Sequence, residues 1–108
     1  MSIDITVRHM SINVATQDYA RQKAEELLAG FDILEHVHVI LDHQKHSTFT
    51  EVVVSAKKHV NIEASATSEK IVISLDKAFS KVEKQLRKVV DKIHDHKVEM
   101  KKKLKRKV

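Results

Sequence analysis

The chain has no cysteine, no proline and no tryptophan, one glycine (Gly30), and only 4% aromatic residues in 108. Without cysteine there can be no disulfide, no thiolate metal site and no thiol nucleophile. This fits a reducing compartment, and a cytoplasmic location is expected. No Pro-, Gly- or Ser-rich stretch marks a linker and no internal repeat is found, so a single domain is expected. No apolar run approaches the ~18 residues of a membrane span. Met1 to Thr6 also lacks the charged, apolar and small-residue succession of a secretory signal, so no membrane partner is expected. A single glycine rules out a phosphate-cradling glycine loop, and no G-x-S-x-G elbow occurs. Nothing marks a small-molecule substrate or a cofactor, and the chain is not expected to be an enzyme.

What is present is charge, unevenly placed. Hydrophobic residues make up 42% and charged residues 32%, a balance suited to a folded, soluble domain. A domain of this length buries roughly 65% of its unfolded surface, enough to fold without covalent staples. The formal net charge is +5, but residues 77–108 hold thirteen Lys/Arg against four Asp/Glu, a local net of +9. Residues 1–76 hold seven against eleven, a net of −4. An acidic body with a basic C-terminal third points to a polyanionic partner approached by one element.

Periodicity supplies the elements. Ile3, Ile5 and Val7 alternate with polar residues as a half-buried strand. Asn13 is placed as the N-cap of a first helix over about Val14 to Ala29, with Ala20, Ala24, Leu27, Leu28 and Phe31 at three- and four-residue spacing. Gly30 follows as a C′ residue able to adopt positive φ. Val37, Val39 and Leu41 begin a second strand, His43 to Ser47 read as a loop, and Thr48 to Ala56 as a third strand. Its residues Val52, Val54 and Ala56 face one side, and Phe49, Glu51 and Val53 the other. A turn at Lys57, Lys58 and His59 leads to a fourth strand carrying Val60, Ile62, Ala64 and Ala66. Ser68 is expected to cap a last, long helix whose apolar seam is Val72, Leu75, Phe79, Val82, Leu86, Val89 and Ile93. Lys101 to Lys107 (KKKLKRK) reads as a flexible basic tail. The expected division is therefore 1–97 as an α+β domain and 98–108 as the tail.

Lys77, Lys81, Lys84, Lys88 and Lys92 recur at steps of four, three, four and four along the last helix. At ~100° per residue they centre roughly 140° from the apolar seam. Asp76, Glu83 and Asp91 occupy a sector between the two. Aligned like charges repel by a few tenths of a kcal/mol per pair, so a helix shaped for stability alone would interleave glutamates. Five lysines in line, with Arg87 placed beside them, can instead displace counterions from several phosphates. Point charges without interleaved aromatics favour reading of backbone and shape over bases. A protein–protein module using this helix to bind an acidic partner or to self-associate is the alternative reading.

Eight histidines are many for this length. His36 and His38 share a strand face, and His94-Asp95-His96 lies near the helix end. No third or fourth ligand at a recognisable spacing joins either pair, so surface histidines are expected and no metal site.

Three stretches resemble a known family. They are Ile3-Asp4-Ile5-Thr6 through Ile12-Asn13, then Val37 to Leu41 (VHVIL), then a composite of Ala64-Ser65-Ala66, Leu75-Asp76 and Lys81-Val82-Glu83-Lys84-Gln85-Leu86-Arg87-Lys88. The last resembles the A-S-A, I-D and K-L-x-R/K-Q-L-x-K pattern of the ribosome hibernation-promoting factors and ribosome-associated inhibitors, also called sigma-54 modulation proteins. The likeness extends to about Lys97. It implies an α+β fold of order βαβββα, with two helices on one face of a four-stranded sheet, similar to a double-stranded-RNA-binding domain. It also implies a short form of the family, without the second dimerisation domain of the long forms. Such a form would bind 16S rRNA in the mRNA and tRNA channel of the small ribosomal subunit and block translation in idle, stressed or stationary-phase cells. A second, ribosome-dimerising factor is a further implied partner. Lys81, Lys84, Lys88 and Lys92 match basic positions of the family's second helix. Lys77 and Arg87 rest on the stripe alone, and Arg8, at the end of the first strand, is a weaker candidate. Where the family commonly has tyrosine, this chain has Val72.

Overall fold

The computed structural model describes residues 2–57 and 60–106, with side chains described for 2–57 and 60–92. The elements are β1 (Ser2–Arg8), α1 (Val14–Gly30), β2 (Leu34–Gln44), β3 (Ser47–Ala56), β4 (Val60–Ser68) and α2 (Ile71–Arg106). They give the expected βαβββα order. The sheet runs β1-β2-β3-β4, with β1 parallel to β2 and the remaining neighbours antiparallel. A parallel neighbour needs a crossover connection, and α1 provides it.

Strand parity decides where the helices sit. Ile3, Ile5 and Val7 pair with Val37, Val39 and Leu41, which in turn face Val54, Val52 and Thr50. Those face Ile62, Ala64 and Ala66 on β4. This single set of alternate residues forms the apolar face, and α1 packs over β1 and β2 while α2 packs over β3 and β4. The core joins Val37, Val39, Leu41, Val52 and Val54 to Ala20, Ala24, Leu27 and Leu28 of α1 and to Leu75, Ala78, Phe79, Val82 and Leu86 of α2. Five valine and leucine side chains at the sheet centre are fully buried. Each stabilises the fold by roughly 1.5–3 kcal/mol relative to exposure.

Helix ends depart from expectation in three places. Asn13 caps α1 as expected, its side-chain oxygen accepting from Thr16 N at 2.8 Å. Gly30, however, is the last helical residue rather than a left-handed C′ residue. Its φ is not positive, and the chain leaves through an extended Phe31. Ser68 does not cap α2 either; it ends β4, and its Oγ accepts the Lys70 N–H at 3.4 Å. The helix begins when Ser74 N donates to Lys70 O. Third, Val72 is 42% exposed, so the seam starts instead with Ile71, Ser74, Leu75 and Ala78. Val72 lies ~100° round the helix from Ile71, at the rim of the core-facing sector, while Ile71 and Ser74 of the same turn pack on the sheet.

The expected loop His43 to Ser47 shortens to two residues, Lys45 and His46, between longer strands. Lys45 adopts φ 55 there without glycine. The expected turn at Lys57, Lys58 and His59 is described only at Lys57, whose N–H donates to Ile33 O at 2.8 Å. At 36 residues, α2 is roughly 54 Å long and outruns the strands. The side chains of Ile93 in the seam, of His94-Asp95-His96 and of the expected tail lie outside the described residues.

Candidate nucleic-acid interface

α2 is held at its first turn by a buried hydroxyl relay that the sequence reading missed. Ser74 Oγ donates to Ile71 O at 2.8 Å, and Thr50 Oγ1 of β3 lies 2.7 Å from Ser74 Oγ. Since the serine hydrogen is used on Ile71, the threonine hydroxyl donates to serine. Both residues are fully buried and both are satisfied. The relay fixes the rotation of α2 at its start, and the buried Leu75, Phe79, Val82 and Leu86 carry that rotation forward.

With the rotation fixed, Lys77, Lys81, Lys84, Lys88 and Lys92 all stand exposed on the side away from the core. Lys77 to Lys92 spans roughly 22 Å of helix axis. Lys77, Lys84, Lys88 and Lys92 make no ion pair among the described residues. Lys81 differs, because its Nζ donates to Ser65 O at 2.9 Å. One turn on, Gln85 Nε2 donates to Glu63 O at 3.5 Å. Two α2 side chains thereby cover outward carbonyls of β4, the edge strand of the sheet.

The other expected basic residues are set apart. Arg87 lies on the acidic flank, where its guanidinium donates to Glu83 Oε1 at 2.5 Å across one turn. At ~100° per residue it stands roughly 100° round the helix from the stripe's centre, next to Lys84 and Lys88 in sequence but paired toward the acidic flank. Arg8 is in register with Asp42 at the end of β1, on the sheet edge opposite β4 and on the face the helices leave open. Fold geometry therefore brings the five lysines together and leaves Arg8 and Arg87 outside their line.

The acidic flank faces α1. Tyr19 Oη donates to Asp76 Oδ1 at 2.5 Å, and Lys23 Nζ lies 3.6 Å from the same oxygen. The hydrogen bond to Asp76 raises the Tyr19 pKa above its usual 10.0; partial burial adds to this and Lys23 opposes it. On the open sheet face, His36 Nε2 lies 3.2 Å from Asp4 Oδ2 and Nδ1 meets Ser2 Oγ. His38 Nε2 meets Thr6 Oγ1 at 2.8 Å. His9 Nδ1 meets Asp42 Oδ1 at 2.8 Å, and that contact is the largest cause holding the Asp42 carboxyl below its usual range, with the His43 backbone N–H assisting. His36 and His38 do share a face, but no group of three metal-binding side chains forms among the described residues. Nor is any described helix long and apolar enough to cross a membrane.

Comparison with known proteins gives consistent matches. A family profile described as "Sigma 54 modulation protein / S30EA ribosomal protein" matches residues 3–94. The ribosome hibernation promoting factor of Klebsiella oxytoca is 29% identical over 99 residues, covering 89% of this chain and 100% of the relative. That of Escherichia coli K12 has the same identity and coverage. Among solved structures, a ribosomal subunit interface protein from Coxiella burnetii superposes with a TM-score of 0.77 at 23% identity, over 84% of this chain and 99% of the other. The N-terminal domain of Thermus thermophilus Protein Y gives 0.71 at 20%, over 82% and 99%. These two likenesses bear on the fold.

Proposed function

Because the chain belongs to the sigma 54 modulation protein / S30EA ribosomal protein family, we propose that it is a ribosome hibernation factor that binds 16S rRNA in the small-subunit channel and blocks translation. Relatives named ribosome hibernation promoting factor, matched over their full length, support the ribosome-associated role. The family consists of binding proteins, not enzymes, so the work is steric and electrostatic. The protein occupies an RNA-lined channel and excludes mRNA and tRNA from idle ribosomes, in the cytoplasm.

The observation that carries the RNA reading is the exposed lysine line of α2, none of whose five members has a carboxylate partner among the described residues. Unpaired lysines keep their counterions until phosphates displace them, and that release favours binding. Lys77, Lys84, Lys88 and Lys92 are the principal contacts in this reading. Lys81 contributes while also holding β4, and Arg8 and Arg87 are peripheral.

Cosedimentation with small ribosomal subunits across a salt series tests the site. The variant Lys84→Glu/Lys88→Glu leaves Lys81 on β4 and should keep the wild-type melting temperature. It should lose more than tenfold in affinity, and its dependence of log K on log salt should flatten by about one for each lysine. Unchanged binding would overturn the assignment of these lysines. Failure of the wild-type protein to inhibit translation in vitro would overturn the function.

A further inference from the structure

Between α1 and α2, on the flank of α2 away from the lysines, runs a groove of about 250 Å³. Leu27, Phe31 and Phe79 line it with apolar surface, and Glu26, Asp76 and Glu83 bring carboxylates to it. Lys23 is the only cation among its lining residues. Counting Arg87, which pairs with Glu83, three carboxylates face two cations, so the site keeps a net negative charge centred on Glu26, on a chain of net charge +5. Two of the carboxylates already have partners, Asp76 with Tyr19 and Lys23, and Glu83 with Arg87. Exposed pairs of this kind contribute little to stability and exchange readily for a better cation. Glu26 meets only the neutral amide of Gln22, at 3.3 Å.

Gly30 borders the groove, and a Cβ built there meets nothing within 4 Å. Open space therefore continues from the apolar lining past the helix end. Asp76 and Glu83 lie roughly 130° round α2 from the centre of the lysine stripe. A ligand in the groove and phosphates on the stripe can thus be held together without competing.

Resting on the ribosome reading above, we infer that this groove receives a basic polypeptide segment with an apolar anchor, of the kind a ribosomal protein would present beside the RNA. Carboxylates repel phosphate, so RNA is a poor occupant. A lysine- or arginine-rich segment matches the rim in sign, and one aliphatic or aromatic side chain matches Leu27, Phe31 and Phe79. The protein then meets the subunit by two surfaces of opposite charge, one for RNA and one for protein.

The test compares intact small ribosomal subunits with protein-free 16S rRNA as binding probes, using full-length wild type, Glu26→Lys, Glu26→Gln and Gly30→Leu. Added positive charge strengthens binding to bare RNA, so Glu26→Lys should bind the naked rRNA about twofold more tightly. On intact subunits the same substitution should weaken binding roughly fivefold, and Glu26→Gln should weaken it less. Gly30→Leu, which adds an apolar side chain at the border of the groove without changing a charge, should weaken subunit binding and leave rRNA binding unchanged. If Glu26→Lys strengthens binding to both probes, or Gly30→Leu leaves subunit binding at the wild-type level, the groove has no protein partner there and the inference falls. If wild type binds neither probe, the ribosome reading itself falls, and this one with it.

Discussion

Tyr19 is the only tyrosine in a chain without tryptophan, so its phenol can be titrated alone at 295 nm. Its hydrogen bond to Asp76 favours the protonated phenol and raises its folded pKa above 10.0. The contact therefore stabilises the fold fully below pH 10 and is lost as pH rises through the raised value. Titration of wild type should give a midpoint above 10, and Asp76→Asn should bring it down; equal midpoints would show that the bond does not persist in solution. Gly30 gives a second expectation at this scale. Because its φ is not positive and its Cβ site is open, Gly30→Ala should stabilise by about 0.5 kcal/mol through lost unfolded-state entropy, a rise of roughly 2–4 °C in melting temperature. Had Gly30 been the left-handed residue that its place after an apolar stripe suggests, the same change would destabilise. The sequence position cannot distinguish these outcomes, because the choice between a helical and a left-handed glycine is made by where the next residues must go. Here Phe31 continues in extended backbone and packs, half-buried, against the core.

At the scale of elements, most of the fold was legible. Period-two alternation in β1, β3 and β4, and three- and four-residue spacing in both helices, matched the structure because each element buries one face against the other layer. The errors lie at element ends. Val72 belongs to the apolar pattern by spacing but stands at the rim of the core-facing sector and stays exposed, and Ser68 has capping chemistry yet is used by a strand. Ser74 shows the converse. A serine in an apolar stripe looks like an interruption until Thr50, 24 residues earlier, is seen beside it. Ser74→Ala should leave the buried Thr50 hydroxyl without its acceptor and cost about 1–3 kcal/mol in chemical denaturation. The double variant Thr50→Val/Ser74→Ala should cost less than this single change. Additive losses would show that the relay is not a coupled unit. The stripe itself could be found from lysine spacing, whereas the tether of Lys81 and the pairing of Arg87 depend on neighbours that spacing does not show.

For the whole molecule, charge is the controlling quantity. Protonation of all eight histidines would take the net charge from +5 toward +13. Affinity for RNA should therefore rise as pH falls from 7.5 to 6, with a steeper dependence on salt. Filter binding at matched ionic strength would measure it, and weaker binding at pH 6 would count against a simple charge effect. Separately from the contrast between residues 1–76 and the basic C-terminal third, the charges of α2 itself divide between two flanks. The acidic flank faces α1 and the lysines face outward.

The place of α2 after the strands in chain order also governs when this domain can close. A nascent chain leaves its ribosome N-terminus first. Val52, Val54, Ile62 and Ala66 stay uncovered until Leu75, Phe79, Val82 and Leu86 have followed them out. The β1–β2 pair joins residues 34 apart in sequence, so neither half closes early through local contacts alone. This domain therefore closes only after α2 has followed the strands out, and it closes with the element that carries the lysines. A chain interrupted before Leu86 should offer neither a closed core nor a full lysine line, so truncated products would not compete for the partner of the finished protein.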